Sequence, residues 1–485
     1  MPASNKLYIS SLAGLTRVAK TESDQVVDLE IEYAHERSCV GNLYLGRVVR
    51  VMPGMQAAFV DVGLERAGFL YVGDLAGNGP DEEPPPIESI LKTGQELLVQ
   101  IQKAPISTKG PRLTCRLTLP GRYLVLMPGS DHVGISRRLA GEEERERLRL
   151  LVESLRSDQM GYIARTAAEG IDQEAVARDM EALGRLWLRV RGEVERGGGP
   201  RLIHEDSALC VRALRDMLTT DAFEIFVDTD QDAQRAKTFL EAFDPGHNHR
   251  LRMWNRSDPM FQAVGIEQEI TRALVRKVWL RSGGSIVIDQ AEALTAIDVN
   301  TGSYLGKTKP SETILRTNLE AIPEIVQQLR LRNLGGIVVV DFIDMEEEEH
   351  RQRVLEAMEE ALVGDRSRTQ IHSMTELGLM ELTRKRVRES LARQLSETCP
   401  TCDGRGIIKS RLTVAYEVMG EFAARARQLR PAALVANVHP EVHDVMVDQF
   451  LANITELGQQ VNCDLRIHPK GSYHPEQFDL YASDG

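Results

Sequence analysis

With 485 residues, 42% hydrophobic and 27% charged, the chain has the composition of an ordinary globular protein of roughly three or four domains. No apolar run approaches the ~20 residues that span a bilayer. The N-terminus, MPASNKLYISSLAG, has no secretory pattern, and six cysteines make no disulfide framework, so a reducing cytoplasm is expected. A net charge of -13 argues against a surface that grips nucleic acid everywhere, but not against local basic channels. Arg250 to Arg281 holds seven Arg/Lys against three acids, whereas Asp81–Glu83, Glu142–Glu146 and Glu346–Glu349 carry the acidic excess.

Residues 1–36 read as β structure, with Val27, Leu29 and Ile31 alternating with Asp28, Glu30 and Glu32 as on a half-buried strand. From about 38 to 120, YLGRVVRVM, MQAAFVDV, AGFLYV and ELLVQIQK are short strands split by turns, the spacing of a small barrel. The NGPDEEPPP segment is an exposed loop. GEEERERLRLLVESLR and residues 173–195 have helical spacing, and glycines 197–199 with Pro200 end the second helix. From 211 to 390 strands and helices alternate, predicting an α/β region. It contains the strand FEIFVD, a helix from about Gln262 to Lys277, a hairpin, a helix from about Ser311 to Leu331 and the strand GGIVVVDFID. The basic stretch RKRVRESLAR reads as a helix leading into a cysteine motif.

Chemistry concentrates at two strand ends. Asp298 and Asn300 follow an apolar run and share a strand face, and Asp341 closes the run Ile337–Val340. Carboxylates at the ends of core strands need a partner. Hard oxygen ligands suit Mg²⁺ or Mn²⁺, which could activate water at a phosphoryl centre. The competing explanation is a loop cap and an arginine pair. Asp344 is three residues from Asp341, off its strand face, and reads as a supporting acid. Cys399-Pro-Thr-Cys402-Asp-Gly-Arg-Gly has zinc-knuckle spacing but supplies two ligands of four, so the same pair from a second subunit is the simplest completion. Phe59 and Phe69, with Lys109 and Arg112 on a later strand, suit stacked bases and phosphates, or the two rings are core. His204, His247 and His249 read as surface groups, and the glycine clusters match neither the Walker nor the dinucleotide pattern.

The stretches QAAFVDVGLERAGFL, GGSIVIDQAEALTAIDVNTG, TNLEAIPEIVQQLRLRNLGGIVVVDFIDM and CPTCDGRG occur in this order. Together the segments resemble the catalytic domain of the ribonuclease E/G family over nearly the whole chain. The resemblance implies a Mg²⁺-dependent endoribonuclease cutting single-stranded A/U-rich RNA. It would be stimulated by a 5′-monophosphate, leave a 5′-phosphate and a 3′-hydroxyl, and act in rRNA 5′-end maturation and mRNA decay. The implied fold is multidomain α+β. An RNase H-like subdomain (1–37 and 211–280) is interrupted by an S1-type OB-fold barrel (38–120) and a 5′-sensor (121–210). A DNase I-like catalytic subdomain (281–394), a zinc-link (395–409) and a small dimerising domain (410–485) follow. By motif, Asp298 and Asp341 would hold one Mg²⁺ per subunit, with Mn²⁺ as an alternative, and Asn300 would assist. Cys399 and Cys402 would share Zn²⁺ with a partner subunit in a homodimer. Phe59, Phe69 and Lys109 would contact RNA, and Arg165, Thr166, Arg368, Gly121 and Val125 would form the sensor. From residues alone, a non-catalytic RNA-binding scaffold and a DNA-directed nuclease stay open.

Overall fold

The strand Asn5–Leu12 pairs antiparallel with Leu15–Glu22, which pairs with Gln25–Tyr33. On its other edge it runs parallel to Phe223–Val227, placing Leu7 opposite Ile225, so segments far apart in the chain share one sheet. Leu251–Met253 completes the five strands. Leu7, Ile9, Val18, Ile225 and Val227 pack against Cys210, Leu214 and Leu240 from the helices Leu209–Met217 and Asp230–Phe243. The predicted half-burial of Gln25–Tyr33 fails, because Val26, Val27, Asp28 and Leu29 are all buried. Its acidic side meets arginines: Arg330 with Asp28 at 3.2 Å, Arg388 with Glu30 at 3.0 Å, and Arg212 with Glu32 at 2.6 Å, while Arg330 also reaches Glu22 of the preceding strand at 3.2 Å. The acids thus face a packed layer instead of solvent.

The computed structural model describes residues 5–36, 39–75, 85–105, 110–139, 141–156, 160–206, 208–218, 223–302 and 310–483. Two compact units result, Met1–Leu391 and Ala392–Gly485. In the first, strands Leu43–Met52, Ala57–Asp61, Gly68–Tyr71, Arg112–Thr114 and Glu96–Lys103 close into a five-stranded barrel, because the first also pairs with the last. Its interior is Val48, Ala58, Val60, Leu70, Val99, Ile101 and Leu113. A four-stranded sheet follows, packed on the helices Glu142–Leu155 and Gln173–Glu195.

The third sheet has six strands in the order Lys277–Trp279, Ser285–Gln290, Leu294–Asn300, Gly336–Asp341, Leu379–Arg384, Thr369–Met374. One face, Ile286, Ile288, Ile297, Val299, Val338 and Val340, is buried with side chains of the helices Pro310–Leu331 and Glu348–Leu362. Alternation then turns the other side of the central strand outward (Leu294, Ala296, Asp298, Asn300). Two predicted helices are corrected. Gln262–Lys277 is two helices, Met260–Ala263 and Ile266–Leu274, parted by Gly265 at φ +81°, and Lys277 starts a strand. RKRVRESLAR is helical only from Leu391, because Arg384 ends a strand and Arg386 donates to the Gly335 carbonyl at 2.9 Å.

The second unit has the strand Ala433–Val438 between Asp464–Pro469 and Phe478–Ser483, packed on the helices Arg411–Leu429 and Pro440–Val461. Among the described residues, no helix is long and apolar enough to cross a membrane.

Candidate active site

Asp298 and Asp341 lie directly opposite each other on parallel neighbouring strands. Adjacent strands are ~4.8 Å apart, so both carboxylates start from one small patch of the open face. Asn300 Nδ2 donates to Asp298 Oδ2 at 2.7 Å, bracing that carboxylate. Burial pushes the Asp341 carboxyl above its ordinary value, and the Asp298 and Asp344 carboxylates add to the shift. The loop carrying Asp344 is gripped by the buried Asn318, whose amide pairs with both backbone groups of Ile343 at 2.9 and 3.1 Å. Two carboxylates at one register position of paired strands, with an amide on one of them, fit a small hard cation that retains waters. Among the described residues, no three His, Cys, Asp or Glu side chains gather as a metal cage.

Of the predicted sensor residues, Arg165 and Gly121 meet directly. Arg165 donates through Nη1 to the Gly121 carbonyl at 2.8 Å and through Nη2 to Asp216 Oδ1 at 2.5 Å. Thr166 Oγ1 lies 3.2 Å from Ser136 Oγ. Val125 sits on the strand next to Ile163, close to the turn at Gly121. That turn rests on Asp179, which accepts from the N–H groups of Arg122, Tyr123 and Leu124 at 2.7–3.0 Å. Burial pushes the Asp179 carboxyl up to about 6 against those donors. A Cβ on residue 121 would stand 2.7 Å from Asp179 Oδ2, so only glycine fits. Arg368 immediately precedes the strand Thr369–Met374 of the six-stranded sheet, and Arg138 Nη1 holds that segment by donating to the Arg366 carbonyl at 2.7 Å.

On the barrel, Phe59 and Phe69 are cross-strand partners with ring centroids 6.0 Å apart. Both are half-buried, while Ala58, Val60 and Leu70 take the interior positions. The rings therefore form an outer face, and the core alternative is excluded for them. Arg112 lies opposite Phe69 and pairs with Asp74 at 3.0 Å. Lys109 lies outside the described residues. His204 is half-buried at the end of the strand Arg201–His204, where burial lowers its pKa.

Cys399 and Cys402 sit in a turn of the second unit, with Asp403 and Gly404 at φ +49° and +76°. The Gly406 N–H donates to Cys402 Sγ at 3.4 Å. Backbone N–H groups of Cys402 and Thr401 hold the Cys399 thiol below its ordinary value. The lowered pKa favours the thiolate of Cys399, the form that binds metal.

Residues 118–387 match the model of the "Ribonuclease E/G family", and 398–483 match "RNase E/G, Thioredoxin-like domain". The chain belongs to the ribonuclease E/G family. It is similar to Ribonuclease G of Escherichia coli (strain K12), with 40% identity across 98% of this chain and 99% of that protein. The match to Ribonuclease G of Haemophilus influenzae is 40% across 96% of each. Ribonuclease E of Nostoc sp. is 42% identical over 79% of this chain and 56% of its own length. The terminal domain, which carried little signal of its own, is therefore thioredoxin-like.

Several residues that shape this family site escape a reading of the sequence. Asp179, Asp216 and Asn318 look like ordinary polar positions on helices, and only their distant partners reveal them. A faint signal exists for Asn318. An uncharged amide between Thr317 and Leu319 on an apolar-periodic helix is costly unless its hydrogen bonds are met.

Proposed function

We propose that the chain is a Mg²⁺-dependent endoribonuclease that cuts single-stranded, A/U-rich RNA and responds to a 5′-monophosphate. The observation that carries this reading is the in-register pair Asp298 and Asp341 on an open sheet face, with Asn300 braced against Asp298. Asp298 and Asp341 would hold the ion, leaving its remaining positions to water and a phosphate oxygen. Such an ion supplies charge against the phosphoryl oxygen and a more acidic bound water. Asn300 keeps Asp298 aimed. The phosphorus–O3′ bond breaks as the water oxygen bonds phosphorus, giving a 5′-phosphate and a 3′-hydroxyl.

The other parts take supporting roles in the same reading. Residues 1–37 and 211–280 form the RNase H-like subdomain, 38–120 the S1-type barrel, 121–210 the sensor and 281–394 the DNase I-like subdomain. The outward faces of Phe59 and Phe69 stack bases, with Lys109 assigned to phosphates. Arg165, Thr166 and Arg368 bind the terminal phosphate, since guanidinium forks match phosphate oxygens, and Gly121 and Val125 border it. The chain works in the cytoplasm, in rRNA 5′-end maturation and mRNA decay.

The test compares A/U-rich oligonucleotides bearing 5′-monophosphate and 5′-hydroxyl ends. Wild type cuts both in Mg²⁺, favours the monophosphate and stops on chelation. Arg165→Ala is expected to slow the monophosphate substrate by roughly tenfold, the loss of one charge-assisted contact, and to spare the hydroxyl substrate. Equal slowing of both removes Arg165 from the sensor.

Residues 395–409 are proposed as a zinc-link. The paired sulfurs of Cys399 and Cys402 supply half of a four-thiolate site, so one Zn²⁺ joins two subunits. Cys399→Ser is expected to release zinc and sediment as a monomer. A zinc-free variant that remains a dimer overturns the shared site.

A further inference from the structure

Trp279 is 60% exposed at the edge of the catalytic sheet. A lone exposed aromatic is ordinary surface, so its placement is what counts. Trp279 lies opposite Ser285, which lies opposite Asn300, and Lys277 lies opposite Val287, which lies opposite Asp298. Directly opposed residues on paired strands point to the same side. Lys277 and Trp279 therefore stand on the face of the two acids, two strand spacings (about 10 Å) from the strand of Asp298 and three (about 14 Å) from that of Asp341. Lys277 Nζ is 4.0 Å from the Trp279 ring centroid. Neighbouring Arg276 is occupied by Asp289, whereas no described carboxylate pairs with Lys277. The ring is carried by a hairpin closed by the Leu280 N–H on the Gly284 carbonyl at 2.9 Å, which makes it a fixed platform.

We propose that Trp279 is a base-stacking subsite for a nucleotide flanking the scissile phosphate, with the Lys277 ammonium facing the adjoining backbone phosphate. An aromatic ring beside a cation takes any base by its π-face and the strand by its charge. This rests on the reading of Asp298 and Asp341 as an RNA-cutting centre. It adds a second stacking surface, separate from the barrel and beside the chemistry. The ring also has the chemistry of a contact to a second copy of the chain, and the test tells the two apart.

The experiment measures cleavage of an A/U-rich oligonucleotide, intact and with a single abasic site stepped across the cut position. For Trp279→Ala, KM on intact RNA should rise about tenfold with kcat within about twofold, and Trp279→Phe should recover most of the loss. One abasic position should cost wild type the same factor and cost Trp279→Ala nothing more. The subsite is overturned if Trp279→Ala matches wild type on intact RNA, or loses equally on every abasic substrate. It is also overturned if the variant's loss follows a changed sedimentation state, which marks a subunit contact. Wild type that leaves all RNA uncut overturns the nuclease reading itself, and the subsite with it.

Discussion

Asp298→Ala is expected to lower the single-turnover cleavage rate by on the order of 10³ or more, because it removes half of the charge that holds the ion against the phosphate. RNA should remain bound. The Phe59–Phe69 face belongs to the barrel, whereas Asp298 belongs to the six-stranded sheet. The fold should not weaken, since Asp298 is exposed and its carboxylate opposes ionisation of Asp341. Removing it relieves a repulsion that catalysis requires, the usual conflict between activity and stability. A binding assay and a urea titration beside the rate complete the measurement. A variant that cuts at the wild-type rate moves the centre elsewhere. Wild type that binds RNA and leaves it intact returns the protein to a scaffold role, and efficient cutting of the matching deoxy-oligonucleotide makes it a DNA nuclease.

The pairing of Asp298 with Asp341 on one sheet face is legible in the chain because its logic is local. A carboxylate closing an apolar run can only sit where a strand leaves the core, and a two-residue spacing puts Asn300 on the face of Asp298. The barrel is legible from short strands and turns, yet the same pattern leaves the facing of Phe59 and Phe69 undecided. Only the register, which gives the interior to Ala58, Val60 and Leu70, answers it. Ion pairs across long separations are hidden. The acids of Gln25–Tyr33 look solvated until Arg330 arrives 302 residues later in sequence to meet Asp28. The break at Gly265 is hidden for a different reason, since a lone glycine is compatible with a continuous helix and its positive φ is a tertiary choice.

The same kind of hidden pairing supports the second large effect. Asp365 and Arg384 form a fork at 2.7 and 2.9 Å, with side chains 2% and 3% exposed. Arg384 ends the strand beside Gly336–Asp341 and lies opposite Thr369, while Asp365 accepts from the Ser367 N–H and Thr369 hydroxyl at 3.0 and 2.9 Å. One ion pair thus anchors both the six-stranded sheet and the segment bearing Arg366 and Arg368. Asp365→Asn leaves Arg384 buried without a counter-charge and is expected to cost ~3–5 kcal/mol, read as a lower urea midpoint. Burial pushes the Asp365 carboxyl up, but Arg384 and the two local donors more than offset this and leave it below its ordinary value. A depressed acid contributes stability above its unfolded pKa of ~3.9 and loses it as pH falls through the folded value. The gap between wild type and Asp365→Asn should therefore be constant from pH 7 to about 5 and close only in stronger acid. A gap that closes between pH 7 and 5 contradicts an ionised Asp365. The double variant Asp365→Leu/Arg384→Met should regain much of the stability, since apolar groups can replace a buried pair. It should not regain preference for monophosphorylated RNA, because the Ser367 and Thr369 anchors stay lost and Arg368 is no longer held toward the terminal phosphate. Recovery of both properties together would show that the pair supports only the fold and leaves the sensor segment to position itself.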